Sequence, residues 1–493
     1  ARVRDDDERE GVVYPRGVFP SARATLRSDL ADLLDFKWNS DVNLILPPAI
    51  FPAHKAILMQ RSKYFRNLLN NTLNTVNVNV EDANVDIPTF SGLLRYLYTE
   101  EIPSNVVTSS QHDQHAHEHV VGTITRPSKP LESDLRDLLQ TGKYSDIVLV
   151  LGDEQLPVHK PILAARSPFF RSLLQRRSNS KKIVLDDTVI PKRYARVILH
   201  CMYTDKVDLS LIEACRSGLS EVESLTFTGK VNPSGFEEAM ELYQIGRFLE
   251  FDHLCVCSED IIVEQLNHDS LPQILRWSSQ SHGSAWVKRQ ALMYVQEEYL
   301  SLISTPSFLE LDKTTLHEVV QSDFLQASEI EVLNSIIKWG EHQLIKRVED
   351  REPNLVASTR DSVFRNNGGK AKRRNQARDH AFASDLHLND GELRDIVFEL
   401  IRTVRTDHIP LSNESLVNAV RRGLVSIPPT HMITEEKVNP WVNNLQCPNY
   451  IRPRLYTPYY EEAKSALRSR AGQQAQSNST SVLTRTRSSH PPT

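Results

Sequence analysis

The chain has 493 residues, 40% of them hydrophobic and 25% charged, with a formal net charge of −5 and a pI near 6.4. That balance argues against nucleic-acid binding by the chain as a whole, and the length suggests about three domains. Five cysteines (Cys201, Cys215, Cys255, Cys257 and Cys447) form neither a disulfide framework nor paired CxxC knuckles, which points to a reducing compartment, and no apolar run approaches the length of a membrane span.

Residues 1–25 read as a polar N-terminal segment that begins at Ala1 rather than Met, so a leader or an N-terminal lipidation signal would not show. From there the chain writes one unit twice. PAHKAILMQRSKYF at 52–65 returns as PVHKPILAARSPFF at 157–170, an offset of 105. At the same offset SDLADLL (28–34) matches SDLRDLL (133–139), Ser40-Asp41-Val42 matches Ser145-Asp146-Ile147, and Tyr98-Thr99 matches Tyr203-Thr204. Solenoid repeats have periods of about 20–50 residues, so each copy reads as a small domain rather than one turn of a stack.

The first copy is expected over 26–105. Val76-Asn77-Val78-Asn79-Val80 alternates as a half-exposed strand does, and Phe90 to Tyr98 has helical spacing. Residues 106–131 form a polar linker containing His112, His115, His117 and His119. Imidazoles can bind zinc or copper, but no supporting shell is evident in the sequence, and a solvated linker is the preferred reading.

The second copy is expected over 132–268. Asp146 to Leu151 is a β-branched apolar run typical of a buried strand, Gly152-Asp153-Glu154 a turn, and Gln155 to Val158 a short return strand. Lys160 to Arg166 reads as a short helix, and Ser167-Pro168 as the start of another, a capping hydroxyl followed by a residue that needs no N–H there. Lys182 to Leu185 should be a strand and Ala195 to Tyr203 a helix. Past a polar insertion near 205–233, residues 236–266 read as two more amphipathic helices, so the second copy is the complete one.

Helical patterns continue over 269–430, interrupted near 346–384 by a polar insertion carrying Lys370, Lys372, Arg373 and Arg374. That cluster reads equally as a nuclear import signal or as a solvated loop. Residues 431–493 form a tail expected to be largely disordered after 465.

The repeated residues resemble the BTB/POZ family, whose pattern opens a strand with Ser-Asp-Val and continues x-x-His-Lys-x-x-Leu-x-x-x-Ser-x-x-Phe. Asp41, His54, Lys55, Leu58, Ser62 and Phe65 fill it once; Asp146, His159, Lys160, Leu163, Ser167 and Phe170 fill it again. The region after Leu271 is similar to the helical BACK domain that often follows BTB. The expected fold class is therefore α+β for two BTB/POZ domains, followed by an all-α BACK domain. The resemblance implies a charged pocket near the dimer interface formed by Asp41 with Lys55 and by Asp146 with Lys160. It also implies a non-catalytic scaffold that pairs BTB surfaces, here within one chain, and links protein partners to a cullin-3 ubiquitin ligase. A role in epithelial adhesion and branching morphogenesis follows from the same resemblance. The alternative is a nuclear co-regulator recruiting repressor proteins, and localisation is expected in the nucleus, the cytoplasm or both.

No P-loop, GxSxG, HExxH or paired-carboxylate motif occurs, so neither catalysis nor a cofactor is expected. His54 and His159 lack nucleophile or acid partners at motif spacing and are read as hydrogen-bonded structural residues. Cys255 and Cys257 are read as small hydrophobes on a helix. Many cullin-binding BTB domains carry a hydrophobic-x-Glu motif before the strand that follows the Phe-containing helix. The corresponding loops here, Gln175 to Ser180 and Asn70 to Thr75, have no Glu, so cullin-3 binding, if present, is expected to be weak and to need residues 132–303 as a unit.

Overall fold

The computed structural model describes residues 25–70, 76–80, 86–101, 129–177, 180–212, 234–351, 390–426, 453–465 and 467–469. These divide into two compact units, one comprising residues up to Gln265 with Ser281–Val287, the other Leu266–Gln280 with the residues from Lys288 onward.

The first unit contains both copies of the repeat. Helix α1 (Leu26–Phe36) is opened by a capping box in which Thr25 and Ser28 satisfy each other's backbone N–H groups. Leu26, Leu30 and Leu33, at helical spacing, are its buried face. Strands β1 (Val42–Leu46) and β2 (Ala49–Ala53) pair antiparallel, and β3 (Asn77–Asn79) joins β1 in parallel, giving the order β2-β1-β3. Helices α2 (Lys55–Arg61), α3 (Lys63–Asn70) and α4 (Ile87–Thr99) complete the copy. The strand expected over 76–80 is shorter than its alternation suggested: Val78 and Val80 are buried, whereas Val76 is 60% exposed.

The second copy repeats this order with α5 (Leu131–Thr141), β4 (Ile147–Leu151), β5 (Glu154–Val158), α6 (Lys160–Arg166), α7 (Pro168–Arg176), β6 (Lys182–Leu185) and α8 (Ala195–Thr204). Its sheet has the order β5-β4-β6, and the pairing Ile147↔Val158 is Val42↔Ala53 moved by 105. Register is retained because a slip of one residue would turn Ile147, Leu149 and Leu151 out of the core. The second copy then continues into α9 (Gly235–Phe248) and α10 (Asp252–Glu264). A Cβ on Gly246 would sit 2.8 Å from the Cys255 Sγ, so glycine is what lets these two helices approach so closely. Of the insertion expected at 205–233, residues 205–212 are described and include a 3-10 turn, Leu209–Leu211.

The second unit is helical: α11 (Leu271–Ser278), α12 (Ala285–Glu297), the short α13 (Tyr299–Leu302) and α14 (Pro306–Leu309), α15 (Lys313–Gln321), α16 (Glu329–Arg351), α17 (Asp390–Ile401) and α18 (Glu414–Arg421). Helix α16 runs past residue 346, where the sequence suggested an insertion would begin. Gly340 lets α17 lie directly on α16, since a Cβ there would meet Val397 Cγ1 at 2.3 Å. The fold is thus α+β in the repeated part and helical beyond it. Among the described residues no helix is long and apolar enough to cross a membrane.

Candidate protein-interaction site

His54 and His159 sit at the foot of α2 and α6, each completely buried. His54 Nε2 lies 2.8 Å from the Trp38 carbonyl and Nδ1 2.8 Å from the Tyr98 hydroxyl. A carbonyl can only accept, so Nε2 carries the proton and Nδ1 accepts from Tyr98, whose oxygen accepts the His54 backbone N–H at 3.0 Å. His159 repeats the arrangement with Lys143 O and Tyr203. Burial lowers both imidazole pKa values to about 4, so both are neutral at physiological pH. Each ring thus fastens its domain's last repeated helix to the strand–helix junction, and neither nitrogen is left for catalysis.

Asp41 Oδ1 accepts the backbone N–H of Lys55 at 2.8 Å, and Asp146 that of Lys160 at 2.8 Å. Each carboxylate thus holds an otherwise orphaned helix N-terminal N–H. Burial outweighs that bond and the nearby lysine charge, raising Asp41 to about 6 and raising Asp146 as well; the Asp146 charge adds to the rise at Asp41. Leu58, Leu163, Phe65 and Phe170 are core residues. Ser62 and Ser167 are buried, and each hydroxyl faces the N–H three residues on. Ser167 also donates to the Leu249 carbonyl at 2.5 Å, tying the shared motif to the helical continuation of the second copy.

The most extensive charged arrangement was not singled out from the sequence. Arg61, at the end of α2, is fully buried. Its guanidinium donates to Asp134 of α5 at 2.7 Å, to Glu100 at 2.9 Å, and to the Leu97 and Lys129 carbonyls. Arg166, at the end of α6, is fully buried as well and bridges Asp29 of α1 and Asp205. All three positions are related by 105: Arg61 to Arg166, Asp29 to Asp134, Glu100 to Asp205. Each arginine therefore joins the acid that caps the last repeated helix of its own copy to the first helix of the other. The acids cap reciprocally too, since Leu26 N–H donates to Asp205 at 2.7 Å and Leu131 N–H to Glu100 at 2.6 Å. Burial raises the pKa of Asp29 and of Asp134 despite the facing guanidinium. The signal was present in the repeated Arg-Ser and Ser-Asp-Leu, but an arginine in a helix's last turn reads locally as a favourable dipole partner and nothing more.

A second surface lies on the second copy. Phe169 and Leu173 of α7, Val184 of β6, Val189, and Phe248 at the end of α9 line an open apolar groove, with Val184 66% and Phe248 44% exposed. The Phe169 and Phe248 rings stand 4.9 Å apart. Arg177 and Asp186 are at its margin, so the groove adjoins the loop that lacks the hydrophobic-x-Glu pattern.

Cys255 is buried, with its thiol pKa pushed up to about 12 by burial, so it is unreactive. Cys257 is half-buried, 3.4 Å from His253 Nε2, and is therefore not the purely apolar residue expected. The histidines of 112–119 and the basic cluster Lys370, Lys372, Arg373 and Arg374 lie outside the described residues. Among the described residues no cluster of His, Cys, Asp or Glu has the makings of a metal site.

Comparison with known proteins agrees with this geometry. The BTB/POZ domain profile matches residues 30–118 and 135–266, and the BACK profile (BTB And C-terminal Kelch) matches 273–358. The chain is 42% identical over 485 residues to BTB/POZ domain-containing protein 7 of Homo sapiens, covering 91% of this chain and 41% of that protein. Identity to the Mus musculus protein of the same name is 42% over 488 residues, with the same shares covered. Kelch-like protein 6 of Homo sapiens is 22% identical over 221 residues, 44% of this chain and 31% of its own. The chain thus spans about two-fifths of the length of the first two relatives. It belongs to the BTB/POZ proteins, with two BTB/POZ domains in tandem followed by a BACK domain.

Proposed function

We propose that the chain is a non-catalytic adaptor whose two BTB/POZ copies pair with each other, leaving the second copy to grip a cullin-3 scaffold while the BACK domain holds a recruited protein. The reciprocal Arg61–Asp134 and Arg166–Asp29 contacts carry the pairing part of this reading. Each copy offers the other the same set of groups, as the halves of a two-fold dimer do, and a tethered partner meets its mate at roughly millimolar effective concentration. A chain whose BTB surfaces are satisfied internally is a monomer. Light scattering over a wide concentration range should give the monomer mass throughout; a dimer that persists on dilution would overturn the pairing.

The open groove around Phe248 supports the cullin part. It supplies an apolar anchor of the kind that concentrates binding energy, in place of the one missing from the loop 175–180. Calorimetry of the full chain against the cullin-3 N-terminal domain should give micromolar binding that Phe248→Glu abolishes. Nanomolar affinity indifferent to that change, or no binding by the parent, would sink this reading. Following the family resemblance, the adaptor acts in epithelial adhesion and branching morphogenesis, and depletion in branching epithelial cultures should alter cell–cell junctions.

A further inference from the structure

Residues 453–465 lie beyond both the BACK profile and the helices the sequence suggested, yet they return to the helical unit. Arg454 is only 1% exposed, and its guanidinium is fully engaged. Nε donates to Glu329 Oε1 at 2.7 Å, Nη1 to the Val320 and Ser322 carbonyls at 2.5 and 2.8 Å, and Nη2 to the Thr403 carbonyl at 3.2 Å and Glu329 Oε2 at 3.5 Å. Glu329 is 2% exposed and begins α16. The socket therefore has an acidic floor, which also accepts the Arg405 N–H at 2.9 Å, and three carbonyl walls drawn from the ends of α15 and α17, an acceptor-rich lining that matches guanidinium.

The flanking backbone is held as a bound peptide is held. Leu455 N–H donates to the Asp323 carbonyl at 2.8 Å, and the Gln326 amide donates to the Leu455 carbonyl at 2.9 Å. The same amide accepts the Thr457 N–H at 3.1 Å and the Thr457 hydroxyl at 2.8 Å. One side-chain amide thus bonds both Leu455 and Thr457, the residue at which the chain turns into a helix over 457–465. Beyond Arg454 the segment buries Pro453 and Ala463 and half-buries Tyr456 and Tyr459, while Leu455 is 41% and Tyr460 54% exposed, so its apolar contact is modest. Its attachment joins one ionic anchor and backbone bonds to a small apolar contact and the Thr457 hydroxyl bond, the mixture by which peptides dock.

We propose that the helical unit carries a docking site for an extended Arg-Leu-Tyr-Thr peptide, with the arginine as anchor, and that residues 453–465 of this chain fill it in cis. As part of the same chain, the segment occupies the site at an effective concentration of roughly millimolar, so a modest intrinsic affinity keeps the site closed. The site reads Arg rather than Lys, because five N–H groups in a planar fork are needed to reach Glu329 and the three carbonyls together.

The test keeps the whole chain. A protease site is placed between residues 435 and 445, the purified protein is cut, and a fluorescent peptide of residues 451–469 is titrated in. The cut protein should retain its tail at high concentration, release it on dilution, and then take up the labelled peptide, while the uncut chain takes up none. The Arg454→Ala peptide should bind at least about 100-fold more weakly, because the buried Glu329 loses its counter-ion and keeps only the Arg405 N–H, and Arg454→Lys about tenfold more weakly. All variation is in the peptide, so misfolding of the receptor cannot mimic the result. Equal binding by the Arg454→Ala peptide would remove the socket. Failure of the tail to exchange, or unfolding of the cut protein on its release, would make the segment an integral core element and overturn the docking site.

Discussion

The two BTB/POZ copies use the same charged residues in unequal surroundings. Arg61 has every guanidinium nitrogen engaged, including Nε on the Leu97 carbonyl. Arg166 keeps its two acids and lies 4.9 Å from the centre of the Phe251 ring, but its Nε is buried with no hydrogen-bond partner. Phe251 precedes α10, which among the described residues has no counterpart in the first copy. The helical extension has thus replaced a polar partner with an aromatic face. What the difference teaches is that the reciprocal acid–base code is held by both copies, while the number of supporting bonds is not.

The sharpest way to break that comparison is to remove each arginine. Arg61→Ala leaves Asp134 and Glu100 without their shared cation and should cost about 3–5 kcal/mol. Arg166→Ala should cost less, because it also relieves an unsatisfied buried N–H, a group worth about 1–3 kcal/mol. Urea midpoints of the two variants decide it. Equal losses would mean that the carbonyl bonds to Arg61 carry no weight.

The copies should also share one response to acid. The folded-state pKa of His54 and of His159 is about 4, below the 6.5 of an unfolded chain. Between those values the unfolded state binds protons that the folded state refuses. The stability each imidazole contributes is full above pH 6.5 and is lost as pH falls toward 4, roughly 3 kcal/mol for each. Asp41 acts in the opposite sense. Raised to about 6, it contributes stability that is present below its unfolded value and lost as pH rises through 6. Asp146, Asp29 and Asp134, raised as well, act in the same sense as Asp41, so the histidine contribution is read as the difference between parent and variant. His54→Gln and His159→Gln should each remove roughly 3 kcal/mol of acid sensitivity between pH 6.5 and 4 from the curve of unfolding free energy against pH. Limbs parallel to the parent's would show that the rings are already charged.

Much of this was legible in the sequence, for a physical reason. Sheet register follows alternation, and alternation is local, so the strands from Ile147 and from Glu154 could be read almost to the residue. The first-copy strand at Asn77–Asn79 was overdrawn because its alternating valines looked alike, although Val76 is exposed. The His–Lys and Ser–Phe motif positions were found because they recur. The arginines recur too, but their meaning depends on acids contributed by the other copy, 73 residues away for Arg61 and 137 for Arg166. Arg454 was beyond reach altogether: its partner Glu329 is 125 residues off, and neither residue is repeated.

The smallest expected effect tests a further place where the repeat fails at this junction. Arg66 and Arg171 are equivalent, each bonding through Nε to the carbonyl seven residues earlier, Met59 at 2.9 Å and Ala164 at 2.8 Å. Only Arg171 also lies over a ring, 3.3 Å from the centre of Trp38 in the other copy. The residue equivalent to Trp38 is Lys143, which has no π face to offer, so the symmetric contact cannot form. A guanidinium over indole is worth about 0.5–1 kcal/mol when exposed and ~2 when desolvated, and both residues here are partly buried. Arg171→Ala should therefore cost about 1 kcal/mol more than Arg66→Ala. A double-mutant cycle of Arg171→Ala with Trp38→Leu should return that difference as coupling energy, whereas Arg66→Ala with Trp38→Leu should be additive. Additivity in both cycles would mean that the ring merely fills space beside Arg171, and that the two copies meet through their acids and arginines alone.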